Sequence, residues 1–301
     1  MATIGVNMKC QCGSNNVHKR GNRDNKQRTR CNDCGKWDSH YPSPNGVKIL
    51  LFDIETTPME VFVWGLFGNK YIDHKNVIKD WNVLSWSAKW LFDSNVISDI
   101  QTPKEAINRD DKRLLKGIWD LIDKADIIIA HNGDKFDIKK LNTRFYLNEY
   151  EPPSPYRSID TLKVIKRSFA FSSNRLDYIA KLIQNKGKIA TNFKLWTDCL
   201  EGQSNALNKM LAYNEEDVRL LEEVYLEIRP WVKPHPNVGV HCDGSVCPTC
   251  SSDDIEDNGK YYTTNTNKYK SFRCNACGAL SRSVDSQISL DARKELLRPL
   301  P

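Results

Sequence analysis

The chain has 301 residues, 44 Lys plus Arg against 38 Asp plus Glu, a formal net charge of +6, 40% apolar residues and ten cysteines, a balance that excludes a disordered tail, a collagen or a coiled coil. No run of about 18 apolar residues occurs, and the opening MATIGVNMKC lacks the apolar core of a signal peptide, so neither a membrane span nor secretion is expected and the protein is read as cytoplasmic. Ten cysteines in a reducing compartment are poor disulfide candidates, and the close pairing of eight of them points to metal ligation.

The charge is unevenly placed. Residues 1–47 carry 8 basic and 3 acidic residues, 48–229 carry 27 and 27, and 230–301 carry 9 and 8. The boundaries coincide with two Pro-rich connectors, Tyr41-Pro-Ser-Pro-Asn-Gly46 and Arg229-Pro-Trp-Val-Lys-Pro-His-Pro236, whose prolines end any helix before them. The expected organisation is a basic N-terminal domain over 1–41, a core over 47–229 long enough to bury its own centre, and a C-terminal domain over 240–285.

In the first domain Cys10-Gln-Cys12 precedes an 18-residue insert, which opens with Gly13-Ser14, and the knuckle Cys31-Asn-Asp-Cys34-Gly35. The set resembles the zinc ribbon at the N-terminus of certain insertion-sequence transposases, which implies Cys10, Cys12, Cys31 and Cys34 as ligands of a structural Zn²⁺. The single residue between Cys10 and Cys12 departs from that pattern and leaves His18 and His40 as substitute ligands. Between the knuckles lie Lys19, Arg20, Arg23, Lys26, Arg28 and Arg30. Cations packed on a short hairpin are what phosphate binding requires, since each contact releases condensed counterions.

The core opens with Val47-Lys-Ile-Leu-Leu-Phe-Asp53-Ile-Glu55-Thr-Thr-Pro58, an apolar strand ending in two acids. At i and i+2, Asp53 and Glu55 project from one face. Two carboxylates ~4 Å apart at an effective dielectric of ~20 repel by about 4 kcal/mol unless a cation lies between them, so a divalent metal is expected. A second strand, Asp126-Ile-Ile-Ile-Ala130, leads into His131-Asn132-Gly133-Asp134-Lys135-Phe136-Asp137. Leu141 and Phe145 continue at helical spacing, which predicts a helix capped at Asp134, with Asp137 in its first turn at the mouth of the sheet. Asp160, in Ile-Asp-Thr-Leu, reads either as a cap for a helix starting near Thr161 or as support for a metal site. From Leu207 to Ile228 apolar residues recur at helical spacing up to Pro230, and Tyr213 and Asp217, four apart, share a face of that helix. Cys199 reads as a small buried apolar residue.

The three segments, in this order, resemble the motifs of the DEDD superfamily of 3′ to 5′ exonucleases, with Tyr213-x-x-x-Asp217 marking its DEDDy branch. The stretches Val83-Leu-Ser-Trp-Ser-Ala-Lys-Trp90, Ile159-Asp-Thr-Leu162 and Ser173-Asn-Arg-Leu-Asp-Tyr-Ile-Ala-Lys181 are similar to stand-alone relatives of family B polymerase proofreading domains. The resemblance implies an α/β, RNase H-like mixed sheet with flanking helices. It implies two Mg²⁺ or Mn²⁺ held by Asp53, Glu55, Asp137 and Asp217, with Asp53 bridging, Tyr213 orienting the attacking water, and Asn132 and Phe136 supporting the second motif. The implied reaction is 3′ to 5′ hydrolysis of phosphodiesters to nucleoside 5′-monophosphates, DNA favoured over RNA. Two alternatives stand: a structure-selective endonuclease or ribonuclease using the same acids, and a non-catalytic zinc-dependent binding protein. Heavy Asn and Lys use suggests a bacterial or viral source. No polymerase motif follows the core, so any replication or repair partner would act in trans.

The last domain has Cys247-Pro-Thr-Cys250, a 23-residue insert and Cys274-Asn-Ala-Cys277-Gly278, two knuckles that can supply four thiolates to a second structural Zn²⁺. Tyr261, Tyr262, Thr263, Thr264, Tyr269, Ser271 and Phe272 predict a hairpin between the knuckles. His241 and Cys242 are spare donors beside it.

Overall fold

The computed structural model describes residues 14, 16–23, 26–34, 37–40, 46–65, 67, 71–184 and 191–298; within 17–29 and 37–40 it describes the backbone alone. The chain divides into two compact units, Lys48–Glu227 and a second made of 1–47 with 228–301. Val17–Arg23 (β1), Lys26–Cys31 (β2) and Trp37–His40 (β3) form an antiparallel sheet in that order. Lys19, Arg20 and Arg23 therefore lie on β1 and Lys26, Arg28 and Arg30 on β2. The side chain of Arg30 is exposed, Cys31 is buried and Cys34 is exposed. Cys10 and Cys12 lie outside the described residues.

The larger unit is built on a five-stranded mixed sheet. Its strands are Ile49–Thr56 (β4), Val83–Trp90 (β7), Ile97–Ile100 (β8), Ile127–Ala130 (β9) and Arg157–Asp160 (β10), ordered β10-β9-β4-β7-β8; Glu60–Val61 (β5) and Val77–Lys79 (β6) pair separately. β9 runs parallel to β4 and β10, whereas β7 is antiparallel to β4 and β8. The acid-bearing strand is thus central, which explains its apolar leading half: Ile49 to Phe52 are all buried.

Alternation along β4 divides its side chains between two faces. Leu50, Phe52 and Ile54 enter one apolar cluster with Leu114, Leu115 and Ile118 of Lys112–Asp123 (α2) and with Leu141 and Phe145 of Asp137–Leu147 (α3). The short helix Pro103–Asn108 (α1) carries a complete capping box between Thr102 and Glu105. Approach of α2 to the sheet is close at Gly117, where a Cβ would come within 2.7 Å of the Trp86 ring, and the Trp86 indole N–H donates to Leu114 O at 2.9 Å.

Thr161–Ser168 (α4) is capped by Asp160, whose Oδ1 accepts from the N–H groups of Leu162 and Lys163. Leu176–Gln184 (α5), Phe193–Leu200 (α6) and Ser204–Ile228 (α7) follow. A second cluster joins Leu84 of β7 to Leu195 and Cys199 of α6 and to Leu207 and Met210 of α7. Cys199 is the apolar filler that the sequence suggested, its thiol pushed up to about 12 by burial. An ion pair from buried Lys89 to partly buried Glu222, at 2.7 Å, ties β7 to α7. In the smaller unit Ile255–Thr263 (β11), Lys268–Cys274 (β12) and Leu280–Arg282 (β13) form an antiparallel sheet, and Leu290–Lys294 (α8) follows. Among the described residues no helix is long and apolar enough to cross a membrane.

Candidate active site

Three of the four expected acids come together. Carboxylate oxygens of Asp53, Glu55 and Asp217 all lie within 4.8 Å of one another. β4 supplies two of them because its side chains alternate. The third comes from α7, where Tyr213 and Asp217, one turn apart, line the same cleft as Asp53. Tyr213 is held edge-on against Trp196, with ring centroids 6.5 Å apart. The cleft, about 1110 Å³, is also lined by Asn132, Lys166, Arg175 and Lys181.

Asp137 stands outside that trio. β9 pairs with β4 only as far as Leu51, and the Ile54 N–H, between the two acids, is bonded instead by Asp137 Oδ1 at 3.2 Å. A buried backbone donor needs such a partner. Burial, helped by the nearby charge of Asp160, pushes the Asp137 carboxyl up to about 7 against the lowering effect of the Asp137 and Ile54 backbone N–H groups.

The helix after β9 is capped two residues later than the sequence suggested. Phe136 precedes its first residue, Asp137, and Asp134 forms an ion pair with Lys163 rather than a cap. The intervening residues are spent on a tight turn. Asn132 takes φ 70°, the N–H groups of Lys135 and Phe136 return to Asn132 O, and a Cβ at Gly133 would come within 2.5 Å of Ala130 Cβ. Asp160 fastens this turn by accepting from Asn132 N–H at 3.0 Å, so it does more than cap α4. His131 is fixed between Thr161 Oγ1 and Asn174 O, both 2.9 Å away. Because a carbonyl only accepts, Nε2 carries the proton there.

One site residue had no signal in the sequence. Fully buried Asn214, beside Tyr213 on α7, donates through Nδ2 to Asp53 Oδ2 at 2.6 Å, while its Oδ1 accepts from Ser85 Oγ of β7 at 3.3 Å. In the sequence it is one polar residue among Asn-Glu-Glu. Only the pairing of β4 with β7, which puts Ser85 opposite Glu55, gives it a role.

In the smaller unit the Sγ atoms of Cys247, Cys250, Cys274 and Cys277 also lie within 4.8 Å of one another, with Cys247 to Cys277 at 3.7 Å and Cys250 to Cys274 at 3.6 Å. Tetrahedral Zn–S bonds of ~2.3 Å give S–S edges of about 3.8 Å, so the four thiols fit such a centre. His241 and Cys242 are not part of this group.

A family model described as the RNase H superfamily matches residues 50–228. The chain belongs to the RNase H superfamily. The match begins with β4 and ends with α7, so it includes every acid of the cleft. The RNase H-like fold is a nuclease fold, its nucleases use divalent metals, and it implies nucleic acid as ligand. Among solved structures, the family B DNA polymerase from the hyperthermophilic archaeon Pyrobaculum calidifontis is similar at 17% identity and a TM-score of 0.44, over 64% of this chain and 27% of the polymerase. No curated protein matches the chain.

Proposed function

We propose that this RNase H superfamily protein is a metal-dependent 3′ to 5′ exonuclease that hydrolyses nucleic-acid phosphodiesters, DNA in preference to RNA. The observation that carries the reading is the clustering of the Asp53, Glu55 and Asp217 carboxylates beside a cleft lined by Asp53, Asp217 and Tyr213. The trio offers only hard carboxylate oxygens, which fits Mg²⁺ or Mn²⁺. Asp53, Glu55 and Asp217 would hold these ions, with Asp137 serving from its place against β4. Bound there, the ions supply charge that stabilises the entering and leaving oxygens of an in-line displacement at phosphorus.

The chain's own groups do the rest. Asn214 engages one oxygen of Asp53 and so fixes the carboxylate's orientation. Tyr213, braced by Trp196, orients the attacking water through its hydroxyl. Lys166, Arg175 and Lys181 give the cleft cations for the phosphates of the strand. The products would be nucleoside 5′-monophosphates and a strand one residue shorter with a free 3′ hydroxyl. Cys247, Cys250, Cys274 and Cys277 would hold one structural Zn²⁺, and Cys10, Cys12, Cys31 and Cys34, with His18 or His40 in reserve, a second. The basic strands β1 and β2, with Lys19, Arg20, Arg23, Lys26, Arg28 and Arg30, would grip the nucleic acid.

The direct test compares 5′-labelled linear single strands, duplexes and RNA with a circular single strand, with and without Mn²⁺. The expected result is a ladder of single-nucleotide steps on linear DNA and an intact circle. Cleavage of the circle would replace this reading with an endonuclease, and no cleavage of any substrate would leave a binding protein.

A further inference from the structure

The near-neutrality of the C-terminal segment conceals a sharp separation of charge. Four acids, Asp253, Asp254, Glu256 and Asp257, precede or open the hairpin, and from Asn258 to Val284 there is no Asp or Glu but five cations, Lys260, Lys268, Lys270, Arg273 and Arg282. The same stretch carries tyrosines that the ribbon does not use as a core. Its buried cluster consists of the four cysteines with Ala276 and Ala279, packed by Ile255. Tyr261 and Tyr262 are left 49% and 52% exposed.

The strand register places these groups together. Tyr262 lies opposite Tyr269 across β11 and β12, with ring centroids 6.4 Å apart. Arg282, opposite Ser271 on β13, shares their face because Ser271 is two residues from Tyr269. Its guanidinium lies 4.0 Å from the Tyr269 ring centroid and 5.6 Å from that of Tyr262. On the other face Lys268 lies 3.9 Å over the Tyr261 ring. Flat rings interleaved with cations, with no carboxylate in the stretch, match a polyanion whose base faces are open. A duplex hides those faces, and an acidic peptide would use the charges but not the rings.

We propose that the Tyr262, Tyr269 and Arg282 face of this ribbon binds unpaired nucleic-acid strand, the rings stacking on bases and the cations meeting phosphates. The proposal rests on the nucleic-acid reading of the protein but not on hydrolysis. The test uses the full-length, zinc-loaded protein without added Mg²⁺ or Mn²⁺. Fluorescence anisotropy measures the Kd for labelled oligothymidine, for a duplex of equal length and for a polyglutamate peptide. Tyr262→Val with Tyr269→Val, chosen to keep strand propensity, should raise the oligothymidine Kd at least ~10-fold. The Tyr262→Phe, Tyr269→Phe pair should stay within ~2-fold, as should duplex binding by the valine pair.

An unchanged oligothymidine Kd in the valine pair overturns the proposal, as does an equal loss of duplex or polyglutamate binding. Should the valine pair release its zinc, photocrosslinking of 5-iodouracil oligonucleotides to the unmodified protein decides: adducts at Tyr262 or Tyr269 support the site, and adducts only elsewhere refute it. Hydrolysis of thymidine 5′-monophosphate p-nitrophenyl ester in Mn²⁺, a single phosphodiester with one base, separates the two readings. Its absence in the unmodified protein, with tyrosine-dependent binding intact, would sink the nuclease and leave the ribbon site standing.

Discussion

Asp53 depends on a neighbour that carries no charge. Asn214 is fully buried, bonded to Asp53 on one side and Ser85 on the other, so it sets the direction in which that carboxylate presents its oxygens. Outer-shell partners of this kind change metal affinity by ~10- to 100-fold. Asn214→Ala should therefore raise the Mn²⁺ concentration giving half-maximal cleavage ~10-fold or more, with the maximal rate largely recovered at saturation; an unchanged Mn²⁺ dependence would show that the contact is only structural. Asp137 makes the second prediction at this scale. Its folded pKa is raised from 3.8 to about 7, chiefly by burial, so the folded state holds the proton more tightly than the unfolded chain does. The contribution is fully favourable below about pH 4 and is lost as pH rises through 7, on the order of 4 kcal/mol at 1.36 per unit. Urea melts without added Mg²⁺ or Mn²⁺ should show Asp137→Asn flattening that decline between pH 4 and 8. Equal slopes for the two proteins would reject the assignment.

At the scale of elements, the larger unit hangs on a few knots between strands and helices. Asp111, buried where α2 begins, accepts from Val83 N–H of β7 at 2.9 Å and takes both arms of the Arg144 guanidinium of α3, each at 2.7 Å. Breaking a buried pair from one side leaves an uncompensated charge, so Asp111→Ala should cost ~3 to 5 kcal/mol, read as a fall in the urea midpoint. A loss under 1 kcal/mol would mean that Arg144 finds water instead. Elements of this kind were unevenly legible. The strand at Asp53 and the long helix at Tyr213 could be read because one period, two or 3.6, runs through each without interruption. The cap of the helix at Asp137 lies two residues beyond the position its periodicity suggests, because its start depends on the positive φ of Asn132 and the tight fit of Gly133 over Ala130, and neither is a matter of periodicity. The roles of Asn214 and of Asp160 at the Asn132 turn were hidden for the same reason: both are long-range contacts that exist only once strands have paired.

Across the whole molecule, the +6 is a sum of unlike parts. β1 and β2 carry basic residues, the carboxylate trio lies in the stretch 48–229 with equal numbers of acids and bases, and the second ribbon separates its own charges along the hairpin. The cysteine pairs at 247–250 and 274–277 were legible as one site because ligand spacing is a local property, and the structure brings all four thiols together. With a buried cluster made largely of those cysteines, the ribbon would depend for order on the zinc proposed for them. Cys250→Ser should therefore release about one zinc per chain and expose 240–285 to protease while leaving the melting of 48–227 unchanged; a ribbon that stays protected without zinc would refute this.

On the proposed reading Asp53 and Asp217 belong to one hydrolytic centre. Its most direct test is the single-turnover cleavage rate of a 5′-labelled single strand in Mn²⁺, comparing the unmodified protein with Asp53→Ala, Asp217→Ala at equal zinc content and equal binding of the strand. The expected loss is at least ~100-fold; a rate within ~2-fold of the unmodified protein would mean that hydrolysis does not use these carboxylates.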